Sequence, residues 1–147
     1  MRLWHQDLIS YLPDKQLLGQ HREICGLRGL GFGRKHKIVD YIFKYPYSNL
    51  YHFHLIVMKE MEKRDFNVDK LWYNIIYRGK NIGYDISDFT KDNLVNKKIY
   101  KEHNINYLKE CLENLNSKKI FLNIRKDSYL YKDLLKNNLI KFINVIE

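Results

Sequence analysis

The sequence predicts an all-α protein: a single compact helical domain over residues 1–147 with long surface loops. Three observations predict it. Apolar residues recur at helical spacing in well-separated stretches, at Leu17, Leu18, His21, Ile24 and Cys25, at Leu50, Phe53, His54, Val57, Met58 and Met61, and at Ile105, Leu108, Cys111, Leu112 and Leu115. Helix start and stop residues flank these runs. No internal repeat or linker interrupts the 147 residues, a length that buries roughly 70% of the surface exposed by the unfolded chain.

The first helix starts at Pro13-Asp14, with Asp14 as the expected N-cap, and stops at Gly26 with Gly29. Opposite its apolar stripe lies a strip of Gln16, Gly19, Gln20 and Glu23, with Arg22 at its edge. Gly19 would let a backbone or ligand come close there, so the strip reads as a groove. The alternative is a solvated face that carries glycine at a cost of about 1 kcal/mol relative to alanine.

Next comes "GLRGLGFGRKHK", in which Gly26, Gly29, Gly31 and Gly33 precede Arg34, Lys35 and Lys37. Such a loop brings backbone N–H groups and cations to phosphates. It lacks the Gly-Lys-Ser/Thr of a nucleotide-binding loop. Ser48 is the expected cap of the second helix, which ends near "EKRDFNVD". His52 and His54 are two residues apart and so point to different helix faces, which argues for structural histidines over a metal site. "KLWYNIIYRGKN" combines Trp72, Tyr73 and Tyr77 with Arg78 and Lys80, as binders of single strands or distorted duplexes do, although the same aromatics also suit a core. Residues 81–97 are polar and read as a long surface connection. After the helix that begins near residue 105 come a short apolar run, "IFLNI", and another helix through Leu130, Leu134, Leu135 and Leu139.

The net charge of +9 points to a polyanionic partner. Lysine-rich composition is weak evidence by itself, because AT-rich coding produces it. Arginine is more telling. Only seven of the 26 basic residues are Arg, and four of them, Arg2, Arg22, Arg28 and Arg34, fall in the first 34 residues. Cys25 and Cys111 lack Cys-x-x-Cys spacing and read as reduced core thiols, which fits a cytoplasmic protein. No apolar run reaches the 18 residues of a membrane span, so no membrane partner is expected.

The run "LISYLPDKQLLGQHREI" resembles the N-terminal helix of the pyrimidine-dimer DNA glycosylases of the phage endonuclease V type. "MRLWH" through "QLLGQHRE" and "HLIVMKEMEKRDFNVD" resemble the bacterial members grouped with that family. The resemblance covers residues 1 to about 67. It implies a compact all-α enzyme that acts on double-stranded DNA containing damaged bases, with no cofactor and no metal, at the nucleoid in the cytoplasm and as a monomer. By the same resemblance an N-terminal α-amine attacks the sugar of the damaged nucleotide to form a Schiff base, and the helix glutamate, here Glu23, serves the acid/base steps. Arg22 becomes a phosphate clamp, with Gln16 and Gly19 as the floor against the DNA. The family's mature Thr-Arg opening would match Met1-Arg2, making Met1 the source of the amine and Arg2 a phosphate contact. The expected DNA-binding set is therefore Arg2, Gln16, Arg22, Arg28, Arg34, Lys35, Trp72, Arg78 and Lys80. The competing reading is a non-catalytic helical nucleic-acid-binding protein of the same fold.

Overall fold

The computed structural model describes residues 2–29, 40–85 and 97–147; Met1, Arg34, Lys35 and most of the expected 81–97 connection lie outside them. The architecture is mainly α-helical, as the periodicity predicts. A 3₁₀ turn, Gln6–Tyr11, leads into α1, Asp14–Arg28. A second 3₁₀ turn, Asp40–Lys44, precedes α2, Tyr47–Lys63, and a third follows at Lys70–Tyr73. Then come α3, Ile105–Ser117, strand β1, Asn123–Arg125, α4, Tyr129–Lys136, a 3₁₀ turn at Ile140–Phe142 and strand β2, Asn144–Ile146. The two strands pair in parallel, Ile124 opposite Val145, with α4 as the crossover.

Local chemistry explains most of the boundaries. Pro13 and Pro46 occupy the N-cap positions of α1 and α2, and neither helix has a side-chain cap there. This corrects two expectations: Asp14 and Ser48 sit inside their helices. A proline fixes φ near −65° and has no N–H to satisfy, so it sets the entry direction unaided. Asp14 instead places its charge in the positive first turn and accepts a 3.0 Å bond from Arg64. Arg64 also donates to Glu60 at 2.9 Å and to the Leu12 carbonyl at 2.7 Å, tying the end of α2 to the start of α1. Asn104 and Ser128 cap α3 and α4 through bonds from Tyr107 N–H (2.9 Å) and Tyr131 N–H (3.1 Å).

At the C-cap of α1, a Cβ on Gly29 would lie 2.9 Å from the Arg78 carbonyl oxygen. Only glycine allows the 77–85 segment to approach the helix end so closely. Gly79, with φ of +95°, turns that segment back beneath Trp72.

Leu8, Ile9 and Leu12 from the first turn, Leu17, Ile24 and Leu27 from α1, and Phe53, Val57 and Met58 from α2 form one contiguous core with Leu108, Cys111, Leu112 and Leu115 of α3 and Ile124 and Leu134 beyond. The buried stripe of α1 is Leu17, Gln20, Ile24, Leu27 and Arg28, while Leu18, His21 and Cys25 are only half-buried. The stripe is thus rotated from the expected one and takes in two polar residues.

Buried histidines brace the N-terminal segment. His103 Nδ1 accepts the Gln6 N–H at 3.0 Å and its Nε2 bonds the Tyr41 hydroxyl at 2.7 Å. Burial lowers the His103 pKa to about 3, with neighbouring His5 and Lys98 adding to the effect. Burial likewise lowers His5, His21 and His54. Each is neutral in the fold and takes up a proton more readily when unfolded. Their contribution is present above the unfolded value near 6.5 and is lost as pH falls. The protein should therefore lose several kcal/mol of unfolding free energy between about pH 6.5 and 3. Urea denaturation across that window measures it, and a flat profile would contradict the neutral-histidine account.

Candidate active site

The site is assembled on α1 by a side chain that sequence patterning places in the open. Gln20 is 1% exposed. Its Oε1 accepts the Trp4 N–H at 2.6 Å, and its Nε2 donates to the Arg2 carbonyl at 2.9 Å and to Glu23 Oε2 at 3.3 Å. The N-terminal segment is thereby pinned along α1, one helical turn from Glu23. Leu3 adds a second anchor, its carbonyl accepting the Tyr107 hydroxyl at 2.6 Å. The Arg2 guanidinium lies 5.9 Å from the Tyr107 ring centroid.

Glu23 is half-buried. Burial raises its pKa, opposed by the positive charge of the chain's N-terminus, by the Arg2 backbone N–H, and by Arg22 and Lys118. A carboxyl in that balance sits nearer neutrality than an exposed glutamate, which suits proton exchange. Arg22 is exposed, and Gln16 and Gly19 are half-buried beside it. A Cβ on Gly19 would meet only Arg22 Nη2, at 3.9 Å, so the face above it is open among the described residues. Lys118, at the end of α3, brings its ammonium 5.7 Å from the Trp4 ring. The sequence places Gln20 on the open strip without a role, and it gives no sign of Tyr107 or Lys118. Tyr107 and Lys118 join the site only through tertiary packing of α3, and no local motif signals them.

Arg28 is not on this face. It is fully buried and its five donors are all used. Nε bonds the Tyr47 hydroxyl at 2.8 Å, Nη1 bonds His54 Nδ1 and the Trp72 carbonyl, each at 2.8 Å, and Nη2 bonds the Asn74 and Tyr77 carbonyls at 3.1 and 3.3 Å. Nothing remains for a phosphate. Arg78 is also buried, 3.5 Å from the Tyr47 ring centroid. Trp72 is half-buried, with its ring 4.9 Å from both Tyr77 and the Arg28 guanidinium. Three members of the expected DNA-binding set are thus core-facing, because Arg28 gathers the 72–77 carbonyls around itself. Of that aromatic and basic segment, Lys80 alone of the expected contacts is exposed.

Arg28→Met strands several buried acceptors and should cost at least about 3 kcal/mol of unfolding free energy. Urea denaturation reads this; a loss under about 1 kcal/mol would return Arg28 to the surface.

Among the described residues, His21, Cys25 and His54 are the group with metal-ligating atoms in proximity, within 4.8 Å of one another. Their hydrogen bonds assign the protons differently. Arginine cannot accept, so His54 Nδ1 takes the Arg28 hydrogen and Nε2 carries a proton, which it donates to His21 Nδ1 at 2.8 Å. Cys25 Sγ lies 3.7 Å from His21 Nε2, and burial pushes its thiol up to about 12. As arranged, the lone pairs a cation would need are engaged, and the cluster is a neutral buttress between α1 and α2.

The sequence model of the family described as pyrimidine dimer DNA glycosylase matches residues 1–74, half of the chain. The chain belongs to the pyrimidine-dimer DNA glycosylase family. No curated protein and no solved structure gives a match. The glycosylase family acts on DNA with damaged bases, and this membership carries the same enzyme class and substrate. The matched stretch contains Arg2, Gln20, Arg22 and Glu23, whereas Tyr107 and Lys118 lie outside it. Among the described residues, no helix of the glycosylase is long and apolar enough to cross a membrane.

Proposed function

We propose that this glycosylase couples base excision to strand cleavage through a Schiff base, with the α-amine of Met1 as nucleophile and Glu23 as the acid/base group. The observation that carries the reading is the fixing of Arg2 against Gln20 and Glu23. Residue 1 is one peptide unit from Arg2, so its Cα is within about 3.8 Å of the Arg2 Cα. An α-amine has a reference pKa of about 7.7 to 8.0 and is substantially neutral at working pH, unlike a lysine at about 10.4.

The amine lone pair attacks C1′ of the damaged nucleotide, and the glycosidic electrons leave with the base as it is protonated. A proton passes from that nitrogen to the ring oxygen O4′ as the C1′–O4′ bond breaks, which opens the sugar and gives a protonated imine. The imine acidifies C2′, Glu23 takes that proton, and the electrons expel the 3′ phosphate. Water then hydrolyses the imine and releases the amine. Strand cleavage by β-elimination is thus a consequence of amine chemistry.

On this reading Arg2, Gln16, Arg22, Arg34, Lys35 and Lys80 contact the DNA backbone, and a monomer folded as one domain over residues 1–147 acts at the nucleoid in the cytoplasm. Arg22 is the best placed of the described cations, being exposed beside Glu23 and Gly19. Arg22→Ala should weaken binding to damaged and undamaged duplex alike and lower the slope of log affinity against log salt by about one unit. An unchanged slope would put the DNA on another face. The reading as a whole is tested by incubating the protein with oligonucleotides that carry single defined lesions, a pyrimidine dimer first. Breakage of one glycosidic bond followed by cleavage 3′ to that sugar is the expected result, and binding without product would favour a non-catalytic role.

A further inference from the structure

Gln20 is held more tightly than a residue that merely fills space. It is buried at 1% exposure, and one side-chain amide serves three partners. The amide cannot be turned over: the Trp4 N–H requires an acceptor and the Arg2 carbonyl requires a donor, so Oε1 and Nε2 are fixed in place. The Nε2 hydrogens are then divided between the Arg2 carbonyl and the Glu23 carboxylate. Gln20 thus joins the two components of the proposed chemistry, the chain end that bears the amine and the group that moves the proton.

We propose that Gln20 is the positioning residue of the reaction, setting the separation and alignment of the N-terminal amine and the Glu23 carboxylate through one bifunctional amide. The proposal rests on the Schiff-base reading above. Two features separate it from a packing role. Gln20 donates to the carboxylate as well as to the backbone, so removing the donor disfavours the charged form of Glu23. It also holds Arg2 by its carbonyl, so removing the donor frees the segment that carries the nucleophile. A misplacement of about 1 Å in a reacting group costs on the order of 100-fold in rate.

The test uses the full-length protein with Gln20→Met, similar in volume but without polar atoms, and Gln20→Glu, which keeps the acceptor for Trp4 and loses both donors. Single-turnover cleavage of a dimer-containing duplex is followed from pH 5 to 9, alongside affinity for a duplex bearing a tetrahydrofuran abasic analogue, which cannot form an imine. Both variants should cleave roughly 10- to 100-fold more slowly. Affinity for the analogue should stay within about threefold, and the acidic limb of the rate profile should move to higher pH for Gln20→Met. Wild-type rates with an unmoved limb would overturn the proposal.

If the variants do not fold, nuclear magnetic resonance on the wild-type protein decides. The Gln20 side-chain amide protons should shift with the ionisation of Glu23 and lose that response in Glu23→Gln, and amide signals indifferent to pH would overturn the proposal. Borohydride reduction of the wild-type reaction separates this failure from that of the underlying reading. A wild-type adduct with unaffected Gln20 variants rejects Gln20 alone, whereas product formation without any wild-type adduct rejects the Schiff base and the positioning role with it.

Discussion

Glu23→Gln leaves the protein folded and bound to damaged DNA while strand cleavage falls by at least about 100-fold, the scale of a lost general acid/base. The substitution is nearly isosteric. Its amide oxygen can still accept the Arg2 backbone N–H, so the N-terminal segment keeps its anchors to Gln20 and Tyr107. What disappears is a group that can take up and return a proton. In the wild-type enzyme, burial raises the Glu23 pKa. A base must be ionised to act, so cleavage should rise with pH through a value higher than that of an exposed glutamate, and this acidic limb should vanish in the variant. Single-turnover cleavage and thermal unfolding measured side by side check both parts. A variant that cleaves at the wild-type rate would move the chemistry off α1.

Acetylation of the N-terminus should have a still larger effect and abolish strand cleavage. An amide nitrogen has no lone pair available for attack on C1′, and nothing else in the proposed sequence of steps supplies one. Binding should change little, because Arg22 and the exposed lysines are untouched. One leucine inserted between Met1 and Arg2, bulky enough that the initiator methionine is kept, makes a subtler version of the same point. It keeps a free amine of similar basicity but moves it about 3.8 Å further from the Gln20 anchor, and cleavage should fall by about 100-fold. Both samples are compared with unmodified protein in a gel assay for cleaved strand. Full activity from the acetylated protein would remove Met1 from the mechanism.

The sequence carried the helices because their signals are local. Apolar spacing places all four helices within a few residues, and Pro13 marks the start of α1. The two strands were less legible: each is three residues long, and the pairing of Ile124 with Val145 is a non-local fact. The polar residues of α1 show the limit of periodicity most clearly. The pattern alone puts Gln20 in an open groove because a glutamine counts as polar in any pattern. It is buried because backbone groups at Arg2 and Trp4 need partners, and those lie 18 and 16 residues away.

Arg28 is the same case with a larger charge. Clustering of arginines pointed it toward phosphates, but carbonyls from Trp72, Asn74 and Tyr77 meet its guanidinium inside the fold, and Trp72 and Arg78 are drawn in with it. Glu23 and Arg22 were readable as a pair because they sit on the strip that the core leaves over, half-buried and exposed respectively. The contribution of α3 through Tyr107 and Lys118 had no counterpart in any motif.

The central claim is that the amine at the chain's beginning and Glu23 act on one sugar carbon. Borohydride added during turnover on a dimer-containing duplex tests it most directly, by reducing any imine to a stable amine and leaving protein joined to DNA. Protease digestion and mass spectrometry then locate the linkage. The account predicts an adduct on the N-terminal peptide, at the α-nitrogen of Met1. An adduct on a lysine, such as Lys118, whose charge acts on Glu23, or efficient cleavage with no adduct at all, would contradict it.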